Sequence, residues 1–161
     1  DDLLEQAQQL AHLDPKRPKQ ANLRRAVSSA YYALFHHLID ESSSFLLGTK
    51  SDNLRRQLAR NYEHGQMKSA AADFANPKGA GAWRSVLPTP PSTALQFVAS
   101  TFVQLQEARH DADYNLSRTL SRVEVDALVT QSQTAFARWK TIRGTDEANA
   151  FLVALLVKGR R

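Results

Sequence analysis

The chain has 161 residues, of which 42% are hydrophobic and 23% charged, a composition typical of a folded globular protein rather than a disordered or fibrous one. It contains no cysteine, which excludes disulfides, thiol nucleophiles and thiolate metal sites. The formal net charge is +5, and the segment between Asp14 and Asp40 carries basic residues but no acid. Such a segment can contact phosphates or can be a solvated surface, and charge alone does not decide between them. The basic residues are Lys16, Arg17, Lys19, Arg24 and Arg25.

Length and hydropathy bound the organisation of the chain. A length of 161 residues predicts a single domain over residues 1–161. No stretch approaches the roughly 18 apolar residues of a membrane span, and the opening residues, DDLLEQAQQL, are acidic where a signal peptide is basic. We therefore expect no membrane segment and a cytoplasmic location.

The first third of the chain is predicted to be helical. Apolar residues recur every three or four positions in residues 2–13, and the segment DPKRP then ends this helix. From Lys19 to about Leu47 no proline or glycine interrupts a second apolar stripe. This pattern predicts a long helix that frays through the serines at 42–44.

Shorter elements are predicted next. Ser51 is a predicted N-cap for a helix that extends to Tyr62, and another short helix is predicted over 66–75. Prolines and glycines in residues 76–91 forbid a long helix there, so this segment is predicted to be an ordered loop.

The remainder of the chain again has helical periodicity. Ser92 is a predicted cap for a helix whose apolar stripe places Arg109 where a leucine is expected. Two more helices are predicted, from Ser121 to about Arg143 and over residues 146–158, where FLVALLV is apolar enough to pack against the other helices or a second subunit. With few strand signals and no repeat, the predicted fold is all-α, an antiparallel up-and-down bundle of about five main helices.

The segment EARHDADYN, residues 107–115, contains the first group of candidate functional residues. An arginine on a buried stripe needs an acceptor, and Asp113 lies one helical turn from Arg109. One interpretation is an internal ion pair; the other places the guanidinium in a cleft, where its donors suit a phosphate. His110 and Tyr114 are also one turn apart, and a histidine near a carboxylate can act as a general base.

The segment RRAVSSAYYALFHHLID, residues 24–40, contains the second group. It combines two arginines, two tyrosines and two histidines on one helix, and one tyrosine is predicted to face inward. Its candidate ligand-binding residues are Arg24, Arg25, Tyr31 and His37. No HExxH spacing, phosphate-binding loop or dinucleotide motif occurs, so neither a metal nor a cofactor is expected.

Together these segments resemble the HEPN superfamily, in particular its small bacterial and archaeal members. RRAVSSAYYALFHHL is similar to that family's R-R-A-x-x-x-A-Y-Y-A-x-F-H pattern, and LQEARHDADYNL, about 70 residues later, to its R-x-x-A-D-Y signature. The resemblance covers roughly a third of the chain. It implies a homodimer built on the motif helices, with RNA or a nucleotide bound in the cleft between the subunits.

The same resemblance bears on catalysis. Catalytic HEPN proteins are metal-independent endoribonucleases whose motif places a histidine four to six residues beyond an arginine. Here Arg109 matches the arginine, but the positions that the spacing reaches are Tyr114, Asn115 and Leu116. An unperturbed tyrosine, with a pKa of about 10, is mostly protonated near neutral pH and is a poor base, and His110 points about 100° around the helix from Arg109.

Three hypotheses follow. The first is an RNA- or nucleotide-binding homodimer of HEPN type, catalytically weak or silent, with Arg109, Asp113 and Tyr114 lining the cleft. The second is a metal-independent endoribonuclease, the toxin of a toxin–antitoxin pair with a nucleotidyltransferase partner, using Arg109, Tyr114 and His110. The third is a structural or protein-interaction bundle in which Arg109 and Asp113 form only an ion pair.

Overall fold

The computed structural model describes residues 1–49, 51–76, 78, 87 and 90–157. This part of the chain is all-helical, as predicted, and contains no β-strand. Its helices are α1 (Asp2–His12), α2 (Gln20–Leu47), α3 (Asp52–Ala59), α4 (His64–Ala75), α5 (Thr93–Tyr114), α6 (Arg122–Ile142) and α7 (Asp146–Leu156).

The long helix α2 lies at the centre of the packing. Helices α1, α6 and α5 pack around it, α7 and α3 contact it as well, and α4 packs between α5 and α7. Helix α6 contacts both α1 and α5, whereas α1 and α5 do not pack extensively on each other. Among the described residues, Arg25, Tyr32 and His36 are exposed or half-buried on the sector of α2 between α1 and α5, and we call it the open sector.

A single cluster of buried apolar side chains connects the helices. Its largest fully buried members are Trp139, Tyr31, Phe102 and Phe151. Burying a side chain of this size contributes roughly 1.5–3 kcal/mol. The apolar segment FLVALLV supplies several core residues of α7 and packs against the other helices of this chain, the first of the two possibilities that the sequence left open.

Several helix ends have the caps that their sequences favour. The Ser92 hydroxyl accepts from the backbone N–H of Leu95 at 3.2 Å, which confirms the predicted cap of α5. Ser121 and Glu124 form a reciprocal capping box at the start of α6. By contrast, Ser51 precedes α3 but makes no side-chain cap hydrogen bond.

Two predictions about α2 and α3 are wrong. The serines at 42–44 do not fray, because Ser42 is fully buried and its hydroxyl donates to the carbonyl of Leu152 at 2.8 Å. The helix after Ser51 ends at Ala59 and does not reach Tyr62. Tyr62 instead follows a turn and donates to the Ser42 hydroxyl at 2.6 Å, and this tertiary hydrogen bond holds the residue outside the helix.

The remaining predicted segments agree in part. Helix α4 begins at His64, two residues before the predicted start. The predicted loop over 76–91 lies for the most part outside the described residues, as does the predicted end of the last helix at Lys158. None of the described helices is both long enough and apolar enough to cross a membrane.

Candidate functional site

Arg109 occupies the last turns of α5, beside the open sector of α2. Its Cζ atom lies 5.5 Å from the centre of the Tyr31 ring and 5.8 Å from that of Tyr32, both within cation–π range. The side chain is 14% exposed, and Nε is buried without a hydrogen-bond partner. The guanidinium is thus held on aromatic faces with part of its donor capacity unused.

Asp113 orients this guanidinium from one helical turn away. Its Oδ2 lies 3.5 Å from Nη1 of Arg109, so the predicted ion pair is present but long. Its Oδ1 accepts a hydrogen bond from the Ser28 hydroxyl of α2 at 3.0 Å. Ser28 therefore anchors the acid that faces the arginine and links α2 to α5.

His64, the first residue of α4, completes the same cluster from a third helix. Its Nδ1 is 2.6 Å from the Tyr31 hydroxyl, and its ring stacks on Phe35 with centres 4.3 Å apart. Gln106 of α5 donates to the backbone carbonyl of His64 at 3.0 Å, which fixes the start of α4 against α5. The ring of His64 also lies near that of Tyr32, at 6.0 Å between centres.

Tyr32 and His36 form the exposed edge of the cluster. They are one turn apart on α2, and their rings stack with centres 5.8 Å apart and planes 22° apart. Both line a groove of about 410 Å³ between α1 and α2, which Arg25 and Ser28 also line. We refer to Arg109, Tyr31, Tyr32, His36 and His64 as the Arg109 cluster.

The electrostatics of the cluster favour the neutral forms of its buried rings. Burial lowers the pKa of His64, and the nearby positive charge of Arg109 and the ring of His36 lower it further. Burial raises the pKa of Tyr31 well above its ordinary value, although Arg109 opposes this shift. Near neutral pH, therefore, Tyr31 keeps its proton and His64 is uncharged beside the positively charged Arg109.

Arg24 and Arg25 have different positions despite being neighbours in the sequence. Arg25 is exposed and lines the groove beside Tyr32 and His36. Arg24 instead donates to four backbone carbonyls at the end of α5 and in the turn after it, at distances of 2.5 to 3.4 Å. Its donors are engaged in holding that turn, so it lies outside the Arg109 cluster.

Tyr114 and His110 are paired with each other away from the Arg109 cluster. Their ring centres are 4.8 Å apart, and Tyr114 is 70% exposed. His110 lines a separate groove of about 660 Å³ between α4 and α5 together with Lys68, Glu107 and Arg118. His110 and Tyr114, which were predicted to be catalytic, therefore lie outside the Arg109 cluster.

His37 is also placed elsewhere. Its ring stacks on Phe136 of α6, with centres 4.3 Å apart, and its Nε2 is buried without a partner. Burial lowers its pKa. The residue belongs to the packing between α2 and α6 rather than to the open sector.

Three members of the cluster are not among the predicted site residues, although two of them, Tyr32 and His36, lie in the second candidate segment. Tyr32 and His36 could have been found from their spacing of one helical turn on the same helix as Arg25. No motif or spacing pointed to His64, because its position depends on how the start of α4 packs against two other helices.

A second groove adjoins the first along α2. It has a volume of about 550 Å³, lies between α2 and α3, and shares His36 with the groove that Tyr32 lines. Its charged residues are mixed in sign: Asp40, Asp52, Arg55 and Arg56. Within the described ranges, no group of three or more histidine or acidic side chains is arranged to hold a metal ion.

These features define the molecule as an all-helical protein whose central helix carries an arginine–aromatic cluster on its open sector. No family model, curated protein or solved structure matches the chain, so comparisons with known proteins do not assign it to a family. The chemistry of the cluster is consequently the basis for the functional proposal.

Proposed function

We propose that this chain is an RNA- or nucleotide-binding protein of HEPN type, a helical bundle that dimerises and binds its ligand at the open sector of α2. The observation that carries the proposal is the placement of the partly exposed Arg109 guanidinium against the Tyr31 and Tyr32 rings. An arginine held in this way can bind a phosphate, and neighbouring aromatic rings can stack on a base.

The surroundings of Arg109 support a nucleic-acid ligand rather than a simple anion. The stacked rings of Tyr32 and His36 lie in the groove next to the arginine and offer an aromatic platform. Arg25 adds an exposed positive charge to the same groove. A phosphate donor, a stacking platform and a second cation are the features by which single-stranded nucleic acids are bound without strong sequence preference.

The test is binding of a fluorescently labelled single-stranded RNA by wild type, Arg109→Ala and Arg138→Ala. Arg138 is a matched control, because its Cζ lies 4.2 Å from the centre of the Phe97 ring on another part of the surface. We expect Arg109→Ala to weaken binding about tenfold or more and Arg138→Ala to leave it within about twofold. Equal affinities of Arg109→Ala and wild type would remove the basis of the proposal.

The same variants distinguish a purely structural bundle. If the long ion pair with Asp113 were the whole function of Arg109, Arg109→Ala would lower thermal stability and no RNA or nucleotide binding would be measurable for any variant. Thermal unfolding should therefore be recorded on the samples used for binding, with Arg109→Lys as the variant that retains the charge.

A second candidate function, metal-independent endoribonuclease, is favoured by one observation. His64 lies beside the same two tyrosine rings as Arg109 and supplies a histidine that the arginine motif lacks. In this case the chain could be the toxin of a pair with a nucleotidyltransferase antitoxin. Cleavage of RNA in the presence of chelator, abolished in Arg109→Ala, would establish this function, whereas RNA that stays intact with the wild type would exclude it.

A further inference from the structure

The hydrogen bond between Tyr31 and His64 has a direction that the burial of Tyr31 determines. Tyr31 is fully buried, and its hydroxyl has the Nδ1 atom of His64 as its partner, at 2.6 Å. If Nδ1 carried the proton, the imidazole would donate and the buried hydroxyl hydrogen of Tyr31 would be left without an acceptor. An unsatisfied buried donor is destabilising, so Tyr31 donates and Nδ1 accepts.

This direction fixes the other nitrogen of His64. A neutral imidazole carries one proton, and when Nδ1 accepts, the proton resides on Nε2. Nε2 has no hydrogen-bond partner among the described residues, and His64 is half-buried with its Nδ1 edge turned to the buried Tyr31 hydroxyl. The exposed edge of the ring is therefore an N–H donor.

His64 and Arg109 present their donors beside the same aromatic pair. The Arg109 Cζ atom and the His64 ring centre lie 5.5 and 5.7 Å from the centre of the Tyr31 ring. Their distances to the Tyr32 ring centre are 5.8 and 6.0 Å. The Arg109 side chain is 14% exposed and its Nε is buried, so a phosphate can be reached only by the terminal nitrogens.

We propose that Arg109 and His64 together form a subsite for one phosphate group of the ligand, in which Tyr31 holds His64 as an Nε2–H donor. This subsite rests on the proposed function and deepens it. The phosphate would lie beside the stacked rings of Tyr32 and His36, and the base of the same nucleotide would stack on those rings. Tyr31 is a positioning residue in this arrangement. In the resting state His64 offers a donor to the phosphate and no free ring nitrogen as a base.

Two substitutions of His64 separate a donor from a base. His64→Gln retains an N–H donor near the position of Nε2 but cannot take up a proton, and we expect it to bind labelled single-stranded RNA within about threefold of wild type. His64→Leu removes the donor and should weaken binding about tenfold. His12→Leu is the matched control, because His12 lies on α1 and pairs with Asp126 at 3.0 Å.

The tautomer can be read directly and without any ligand. In the ¹⁵N-labelled protein near neutral pH, the long-range ¹H–¹⁵N correlations of His64, assigned by their loss in His64→Gln, should have the pattern of the Nε2–H tautomer. Tyr31→Phe should shift this pattern toward a mixture of tautomers and weaken RNA binding about fivefold. Should Tyr31→Phe fail to fold, the wild-type spectrum and the two His64 variants still decide the matter.

The outcomes distinguish this inference from the function on which it rests. The subsite would be wrong if the wild type had the Nδ1–H pattern, or if His64→Leu bound RNA as tightly as the wild type. Neither result would contradict RNA binding at Arg109. Absence of RNA binding by the wild type would overturn both. Titration with inorganic phosphate and with AMP adds one distinction, since tighter binding of AMP supports a base on the Tyr32–His36 stack and equal weak binding of both contradicts it.

Discussion

At the scale of single residues, Arg24 and Arg25 illustrate how two identical side chains acquire different roles. The Arg24 guanidinium donates to the carbonyls of Ala112 and Asn115 and to two more in the turn after α5. Carbonyls at the end of a helix have no partner within the helix, and a guanidinium can satisfy several at once. Arg25 makes no such contacts with the described residues and faces the groove of Tyr32.

This contrast predicts opposite effects of two neighbouring substitutions. Arg24→Ala should lower the free energy of unfolding by about 2 kcal/mol, because several charge-assisted hydrogen bonds are lost together. Arg25→Ala should change it by less than about 0.5 kcal/mol and should instead weaken RNA binding. Urea unfolding followed by circular dichroism measures the first effect; equal stability of the two variants would show that Arg24 does not hold the end of α5.

His37 gives the fold a pH dependence of known sign. Burial lowers its pKa below the ordinary value of 6.5. Above that value the histidine is neutral in both the folded and the unfolded chain, so it contributes no slope. As the pH falls below 6.5, the unfolded chain binds a proton that the folded chain does not, so stability is lost toward acid pH.

The prediction concerns the slope of unfolding free energy between pH 7 and pH 5. Wild type should lose stability over this range, and His37→Phe, which retains a ring against Phe136, should lose less. The pKa of His64 is lowered too, so the double variant His37→Phe/His64→Gln should have a still smaller slope. Identical slopes for wild type and His37→Phe in urea titrations would contradict the assignment.

At the scale of elements, helical periodicity predicted the positions of most helices but not the contacts between them. The apolar stripes of α2, α5 and α6 place core residues correctly, and the position of Arg109 on such a stripe led to the ion pair with Asp113. These are properties within one helix, where spacing of three or four residues determines which side chains share a face. Local patterning is sufficient for them.

Helical periodicity does not predict the contacts between helices. Tyr31 and His64 are 33 positions apart, and their hydrogen bond exists because α4 starts against α2 and α5. Likewise Ser42, which local propensity suggested would fray, is held by Leu152 and Tyr62 from distant parts of the chain. Tertiary packing decided both cases, as it commonly overrides propensity.

If a base stacks on Tyr32 in the open sector of α2, the RNA affinity should depend on whether the side chain that replaces Tyr32 is aromatic. If Tyr32 stacks on a base, Tyr32→Phe should retain RNA affinity within about twofold, whereas Tyr32→Ser should lose about tenfold, since base stacking contributes roughly 1–3 kcal/mol. Anisotropy titrations at constant salt measure the difference. Phe97→Ser supplies a control on α5 with an aromatic side chain lost elsewhere, and similar losses in both variants would indicate general destabilisation instead of stacking.

At the scale of the whole molecule, ligand binding and self-association would be coupled if two subunits met at the open sector of α2. A homodimer whose cleft lies between two open sectors would contribute two Arg109 clusters to one ligand. A stable interface needs roughly 800 Å² from each partner. Because the described part of α7 is already packed against this chain, its apolar residues are not the evident source of that area.

If RNA binds between two subunits, RNA binding and dimerisation should each favour the other. Any ligand that binds the dimer better than the monomer must shift the equilibrium toward the dimer by mass action. Sedimentation of the wild type at tens of micromolar should give twice the subunit mass, and RNA should preserve that mass on dilution. Arg109→Ala should remain dimeric without RNA but lose the RNA-dependent protection. A mass of one subunit at tens of micromolar, with RNA and without it, would mean that the Arg109 cluster acts within a single chain.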